Sequence, residues 1–190
     1  HPDPTDPMAY CTFYILVRGV SDTTYSITAA TGEGGIDLQD GQPLQSVVGA
    51  LTYQRFRFWS FDYQGDVSFS VTPNSGTTYM YLLSPSGDDD GSGPSSSHYQ
   101  WKSELPGGDT LHVRYDQPNF DVGEWQLAVY GVTESSFSVV ASTSPRTGNV
   151  STITLSDGQP LVGRISVRGD YQYYTFVPSS PSHGVTFAVT

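Results

Sequence analysis

The sequence predicts an all-β protein built from tandem antiparallel β-sandwich modules of the jelly-roll or immunoglobulin-like kind, one complete and two partial. Three observations lead to this prediction. Apolar and polar residues alternate with a period of two in many short runs, as they do in half-buried strands. Turn-forming residues separate these runs, and no stretch shows a sustained helical period. Groups of residues also recur 112, 117 or 118 positions later, which is the length of a domain.

Six runs carry the strand pattern. Within Val67–Thr72, three apolar side chains alternate with three hydroxyl side chains, so one face of the strand is apolar. β-Branched and aromatic residues dominate the other runs, as a pleated, half-buried surface favours. The number of short strands, seven or eight in about 105 residues, is typical of a two-sheet sandwich. The runs are, in chain order, Tyr53–Phe61, Val67–Thr72, Tyr79–Leu83, Leu111–Tyr115, Trp125–Val129 and Phe137–Ala141.

Several segments occur twice in the chain. The motif DGQPL at Asp40–Leu44 is typical of a turn into the first strand of a module. Its proline suits the beginning or the edge of a strand, because proline has no N–H to donate. The repeated pairs are Asp40–Leu44 with Asp157–Leu161, Tyr53–Phe58 with Tyr171–Phe176, Val67–Thr72 with Val185–Thr190, and Arg18–Ala29 with Tyr130–Ala141.

The phase of the repeat divides the chain into one whole module and two parts. We expect residues 36–143 to form a complete sandwich, residues 1–35 the C-terminal part of a preceding repeat, and residues 150–190 the N-terminal part of a following one. Residues 144–149 have the composition of a linker. A half sandwich would leave an apolar face and strand edges open. We therefore expect the chain to be an excerpt of a longer array, or neighbouring chains to complete its ends.

Three features of the complete module occur in a distinctive order. An aromatic strand, Tyr53–Phe58, comes first, and a strand ending in Pro-x-Gly, Tyr81–Gly87, follows it. Near the end, a glycine, an aromatic residue and alternating apolar residues, Gly123–Tyr130, precede a turn and a last strand. This order resembles the bacterial pre-peptidase C-terminal domain, a jelly-roll-like sandwich found beside secreted proteases and in other surface proteins. The resemblance covers Gly41–Ala141 and implies a sandwich fold and an accessory or surface role.

The chain departs from that family at one place. The family usually has an acidic residue just before the strand that begins here at Tyr79. Thr77 and Thr78 stand there instead. The resemblance therefore does not imply a calcium site at this position.

The charge balance excludes several classes of partner. Lysine and arginine total 8 against 19 acidic residues, which gives a formal charge of −11, and Lys102 is the only lysine. Nucleic acid and anionic lipid both require a basic surface. No apolar run approaches the roughly 20 residues that span a bilayer. Abundant Tyr, Gly, Pro, Ser and Thr with few charges indicate an extracellular or cell-surface protein, which we expect to contact neighbouring repeats, copies of itself or glycans.

No combination of residues in the sequence indicates catalysis. The histidines lack the spacing of a zinc protease, and neither a nucleophile elbow nor a phosphate-binding glycine loop is present. His112 falls on the polar face of a strand, where we expect a solvated side chain. We therefore expect no enzymatic activity and no cofactor, with Ca²⁺ as the one ion to consider.

The sharpest cluster of charge is Asp88, Asp89 and Asp90, in a loop rich in glycine and serine. Carboxylate oxygens are ligands that Ca²⁺ takes, but it needs six to eight of them, and the spacing is not that of an EF-hand. A solvated loop tip is the favoured interpretation, and a calcium site is the alternative.

Four aromatic residues outside the expected core, Trp59, Tyr63, Tyr99 and Trp101, are candidates for binding or packing. Flat aromatic faces stack on sugar rings, so the four would suit a carbohydrate platform. The favoured interpretation is packing between strands or between neighbouring modules, which uses the same residue types.

Two single residues complete the list of candidates. Asn149 begins an Asn-Val-Ser glycosylation triplet in the expected linker. Cys11 is the only cysteine. We favour a small buried side chain for it, with a disulfide to a residue outside this sequence as the alternative.

Two functions fit these observations. The favoured one is a structural repeat of an extracellular or cell-surface fibre, stalk or appendage that self-associates through neighbouring sandwiches. The alternative is a non-catalytic accessory domain of a secreted enzyme that binds carbohydrate or protein.

Overall fold

The computed structural model describes residues 14–21, 35–87, 91–144, 152–163, 171–178 and 185–189. All regular structure in these residues is β-strand. Eleven strands are formed: β1 (Ile36–Asp37), β2 (Leu44–Val48), β3 (Tyr53–Ser60), β4 (Asp66–Ser75), β5 (Thr78–Leu83), β6 (Trp101–Ser103), β7 (Asp109–Val113), β8 (Gly123–Gly131), β9 (Ser135–Ser144), β10 (Thr152–Leu155) and β11 (Tyr173–Phe176).

The first nine strands form two packed sheets. The front sheet has the order β1-β3-β8-β5-β6, and the back sheet has the order β2-β9-β4-β7. Every neighbouring pair in them is antiparallel except β1–β3. The predicted all-β sandwich is therefore confirmed.

The parallel pair β1–β3 is a departure from the purely antiparallel prediction. After Asp37 the chain leaves the front sheet and forms β2 in the back sheet before it returns as β3, and such a crossover makes the two strands parallel. For the same reason the motif at Asp40–Leu44 leads into β2, an edge strand of the back sheet, and not into the first strand.

The core lies between the two sheets and follows the predicted alternation. Phe58 of β3 meets Phe69 of β4 edge to face at 5.7 Å, and Phe56 meets Phe137 of β9 in the same way at 6.0 Å. Trp125 of β8 is completely buried. Each of these aromatic residues buries on the order of 150–250 Å², so the sandwich has a substantial core.

The predicted bounds of the module lie close to those of the two sheets. β1 begins at Ile36, and β9 ends at Ser144, one residue inside the expected linker. Asn149 and the remainder of that linker lie outside the described residues, as do Cys11 and most of residues 1–35. The described part of the N-terminal segment, residues 14–21, has no strand and is exposed.

A second parallel pair follows the sandwich. β10 and β11 form a two-stranded sheet in which Ile153 faces Tyr174. In β1–β3, Ile36 faces Phe56. Ile153 lies 117 positions after Ile36, and Tyr174 lies 118 positions after Phe56, so the second pair has the register that the repeat assigns to it. Within the described residues, no helix is long and apolar enough to cross a membrane.

Candidate functional site

The turn at Asp40–Gly41 connects the beginning of the sandwich to its end. The Asp40 carboxylate accepts hydrogen bonds from the backbone N–H of Thr143 at 2.9 Å and from its hydroxyl at 2.7 Å. The Gly41 N–H donates to the Ala141 carbonyl at 2.9 Å. The two contacts hold the end of β9 beside this turn.

The same turn also receives β10. The Gly41 carbonyl accepts a hydrogen bond from the Thr154 N–H at 2.8 Å, and Ile153 beside it is buried. Gly41 has a φ of +68°, and a Cβ there would collide with the Thr152 carbonyl oxygen. Glycine is required on both counts, because it has no Cβ and tolerates positive φ.

Two side chains that follow Gly41 extend this contact. The Gln42 amide donates to the Thr154 hydroxyl at 3.2 Å, and the Gln45 amide donates to the Gln159 side-chain oxygen at 3.4 Å. We call the contacts of Asp40–Gln45 with residues 152–162 the joint.

Residue 162 lies against the outer face of the back sheet. The Val162 N–H donates to the Thr72 hydroxyl at 2.9 Å, and the Thr110 hydroxyl donates to the Val162 carbonyl at 3.4 Å. Thr110 also shares a 2.7 Å hydrogen bond with Ser70. This face carries a row of small hydroxyl residues that are buried but hydrogen-bonded. Their hydroxyl groups therefore keep hydrogen-bond partners when the face is covered. They are Ser68, Ser70, Thr72, Thr110 and Ser142.

The second copy of the motif has the same turn without a described strand against it. Gly158 has a φ of +69°, nearly that of Gly41. No described atom lies within 4 Å of the place where its Cβ would stand. The sequence repeat pointed to both turns, but the strand that docks on the first one was not predicted.

Part of the outer face of the front sheet is covered by the connection from β5 to β6. The Arg55 guanidinium donates to the Pro94 carbonyl at 2.8 Å. The Ser96 N–H donates to the Tyr53 hydroxyl at 3.1 Å, and Tyr53 stacks at a tilt on Tyr130 with 4.9 Å between ring centroids. This loop therefore covers two of the large outward side chains of β3, Tyr53 and Arg55.

The structure separates the four candidate aromatics. Trp59, at the end of β3, is about half exposed (52%), and Tyr63 in the following turn is exposed. Tyr99 packs on Tyr81 at 5.8 Å beside β6, at the other edge of the front sheet. Trp101 is half-buried and packs on the core residue Trp125 at 5.6 Å. The four therefore do not form one platform, and Trp101 packs against the core.

Phe61 is an exposed aromatic that the sequence interpretation did not select. Its ring is nearly parallel to that of Trp59, with an interplanar angle of 16° and 6.0 Å between centroids. The alternation in the sequence could have indicated this pair, because Trp59 and Phe61 are two positions apart and therefore lie on the same, outward side of one aromatic run. The pair forms a flat apolar surface at this end of the front sheet.

The remaining candidates are the three adjacent aspartates and His112. Asp88, Asp89 and Asp90 lie outside the described residues. Among the residues that the structure describes, no group of three or more His, Cys, Asp or Glu side chains is placed to hold a metal ion. His112 is not the solvated side chain that we expected. It is mostly buried, with its Nε2 3.5 Å from an Asp66 carboxylate oxygen, because its position on β7 faces the beginning of β4.

Tyr81 is the group whose pKa is most clearly shifted. Burial, together with its 2.9 Å hydrogen bond to the Glu104 carboxylate, raises the pKa of the Tyr81 hydroxyl. A hydrogen bond from Lys102, and then the one from Tyr81, lower the pKa of Glu104. The network ties β5 to the segment that follows β6.

Tyr81 is expected to make the fold sensitive to alkali. Because its pKa is raised in the folded state, its contribution to stability is complete below about pH 10, the pKa of an unfolded tyrosine, and is lost as the pH rises beyond it. Tyr81→Phe should be slightly less stable at pH 7 and lose less stability between pH 9 and pH 11. Urea unfolding at both ends of that range measures this, with Tyr63→Phe as the exposed control. Parallel stability curves for the wild type and Tyr81→Phe would contradict the assignment.

Comparisons with known proteins give likenesses of fold. No model of a known protein family matches the chain, and no curated protein matches it. The chain is similar in structure to the pre-peptidase C-terminal domain of collagenase from Bacillus anthracis, with 11% sequence identity and a TM-score of 0.40 over 60% of this chain and 99% of that one. This is the domain type that the order of strands resembles in the sequence.

Two further similar structures are periplasmic lysozyme inhibitors of g-type lysozyme. The one from Aeromonas hydrophila has 12% identity and a TM-score of 0.37, over 57% of this chain and 95% of that one. The one from Salmonella Typhimurium has 18% identity and a TM-score of 0.34, over 57% of this chain and 97% of that one.

Proposed function

We propose that the chain is a structural repeat of an extracellular or cell-surface fibre, stalk or appendage, in which neighbouring β-sandwiches associate with one another. One observation carries the proposal. The strand pair that begins the sandwich recurs after it in the same register and docks on it through the Gly41 turn. A module that carries the beginning of another on its surface has the arrangement that a linear array requires.

The surfaces of the sandwich support the same conclusion. The front sheet is covered in part by its own loop at Pro94–Ser96, and the back sheet receives Val162 on its row of hydroxyls. The formal charge of −11 favours a soluble exterior and disfavours contacts with nucleic acid or anionic lipid. In this role the chain performs no reaction, and sugars on Asn149 would coat the linker between modules.

A second candidate is a non-catalytic accessory domain that binds carbohydrate. The observation that favours it is the exposed pair of Trp59 and Phe61, whose nearly parallel rings present a flat apolar surface. Sugar rings stack on such surfaces. The pair lies at one end of the front sheet, where it would remain accessible beside a secreted enzyme.

Electron microscopy of the native material distinguishes the two candidates. Antibodies against residues 36–144 should decorate extracellular filaments or stalks whose axial repeat is on the order of 30–40 Å, because ten-residue strands rise about 3.3 Å per residue. Filaments that lack the label would contradict the proposal. Label that sediments with insoluble polysaccharide, and not with filaments, would favour the second candidate.

A further inference from the structure

Two described segments expose large apolar side chains. In the N-terminal segment, Ile15 and Leu16 are exposed, and Leu16 is almost fully so (94%). In the C-terminal segment, Tyr174 is 42% exposed and Phe187 67%. Exposed large apolar side chains that occur together on a segment usually mark a site of protein contact.

The repeat identifies what each segment corresponds to in the complete sandwich. Residues 14–20 lie 112 positions before 126–132, so Ile15 and Val17 take the places of the core residues Leu127 and Val129. They are thus the counterpart of most of β8. Strand β11 is the counterpart of the middle of β3, at an offset of 118.

In the complete sandwich these two counterparts are partners. β3 and β8 pair antiparallel in the middle of the front sheet, with Phe56 facing Leu127 and Arg57 facing Gln126. The offset of 118 takes Phe56 to Tyr174, and the offset of 112 takes Leu127 back to Ile15, so the same register places Tyr174 opposite Ile15. It also places Thr175 opposite Tyr14 and Tyr173 opposite Leu16.

Strand β11 has an edge available for such a partner. It pairs with β10 on one side, in a sheet of two strands among the described residues. In the front sheet β3 has β1 on one side and β8 on the other. A two-stranded sheet is marginally stable, and an open edge with apolar side chains invites pairing.

We propose that residues 14–20 of one copy of the chain add a third strand to the β10–β11 sheet of a second copy, in the register that β8 has on β3. This inference rests on the proposed function and names its contact. Chains would then join head to tail, and each junction would rebuild the centre of a front sheet from two copies.

Among the described residues the two segments do not pair with each other, so we take the partner to be a second copy. In the repeat, β10 corresponds to β1 and Gly158 corresponds to Gly41. If residues 14–20 paired with β11 of the same molecule, β1 would therefore lie against the Gly158 turn in the way that β10 lies against the Gly41 turn. No described atom approaches the Cβ position of Gly158, and Thr152 approaches that of Gly41. A head-to-tail contact that does not close within one molecule continues from copy to copy.

Disulfide trapping tests the register. In a Cys11→Ser background, one preparation carries Tyr14→Cys and another carries Thr175→Cys. Residues that face each other across antiparallel strands have Cα atoms about 4.5–5.5 Å apart, which a disulfide can span. The mixture is oxidised in about 0.3 M salt, which screens the repulsion between acidic copies. We expect a mixed dimer linked through residues 14 and 175, identified by peptide mass spectrometry.

Two controls make the result specific. Tyr63→Cys replaces Thr175→Cys as an exposed position outside the proposed strand, and it should give at least tenfold less mixed dimer. Adding Ile15→Asp should remove the mixed dimer without changing the melting temperature of the sandwich, because residue 15 is exposed there. A chain carrying both cysteines should give a ladder of multimers.

Four outcomes would overturn the inference: no mixed dimer between Tyr14→Cys and Thr175→Cys, equal trapping with Tyr63→Cys, persistence of the dimer with Ile15→Asp, or a doubly substituted chain that links only within monomers. These outcomes are separate from the fate of the proposed function. Labelled filaments without trapping would retain the fibre and reject this junction. Trapping without labelled filaments would retain the junction and reject the fibre.

Discussion

Replacing Phe58 by aspartate should unfold the sandwich, whereas replacing its neighbour Trp59 by aspartate should leave it folded. Phe58 is buried and packs edge to face on Phe69. Removing a buried phenylalanine costs about 3–5 kcal/mol, and burying a carboxylate adds several more. A domain stabilised by about 5–15 kcal/mol does not tolerate this loss. Circular dichroism during thermal unfolding measures the effect, and Phe58→Asp should show no cooperative transition.

Trp59→Asp is the matched control, one position along the same strand. Its side chain lies on the outer face, so we expect a loss of about 1 kcal/mol, mostly from its stacking on Phe61. Phe58→Leu keeps an apolar residue at the buried position and should remain folded at room temperature. Equal melting curves for the two aspartate variants would mean that the two faces of β3 are assigned wrongly.

Replacing Gly41 by valine should release β10 from the sandwich. A β-branched residue is strained at a φ of +68°, at a cost of about 1–2 kcal/mol, and its Cβ would collide with the Thr152 carbonyl oxygen. The hydrogen bond from the Thr154 N–H to the Gly41 carbonyl should then be lost. Hydrogen exchange of the Thr154 amide measures this, and we expect protection to fall at least tenfold.

Gly158→Val separates the collision from the backbone strain. Its φ of +69° imposes the same strain, but no described atom lies where the new side chain would go. Protection of Thr154 should therefore stay near that of the wild type. Similar exchange in the two variants would show that the joint does not hold β10.

The core of the sandwich was predictable because its signal is repeated along each strand. In β4, β8 and β9 every second residue is apolar over five positions, and a one-residue slip would expose all of them. In β3 the same spacing places Phe56 and Phe58 in the core. The opposite placement of Phe58 and Trp59 follows directly from this alternation.

Short elements were not predictable in the same way. β1 has two residues and β6 has three, too few for a period to appear. The pairing of β1 with β3 depends on where the chain crosses between sheets. Trp101, in β6, was placed among the outward aromatics, but it is half-buried and packs on Trp125. A strand of three residues has no periodic pattern that would indicate which side chain faces the core.

The contact of residues 152–162 with the sandwich was only half visible in the sequence. The repeated motif indicated two equivalent turns, but a row of serine and threonine on the outer face of β4 is typical of a solvated surface. This face is contacted by a segment about 90 positions further along the chain, since Val162 donates a hydrogen bond to Thr72. Local composition carries no information about such a contact.

The hydrogen bonds between Asp40 and Thr143 have a mechanical consequence. If the modules form a filament, tension reaches each of them near its first strand and leaves near its last one. Asp40 and Thr143 bridge these two places with contacts of 2.9 and 2.7 Å, and the bond from Gly41 to Ala141 lies beside them. We expect a pulling force to act on these hydrogen bonds in shear before it separates any strand from the core. The filament would then resist extension while each sandwich remained folded.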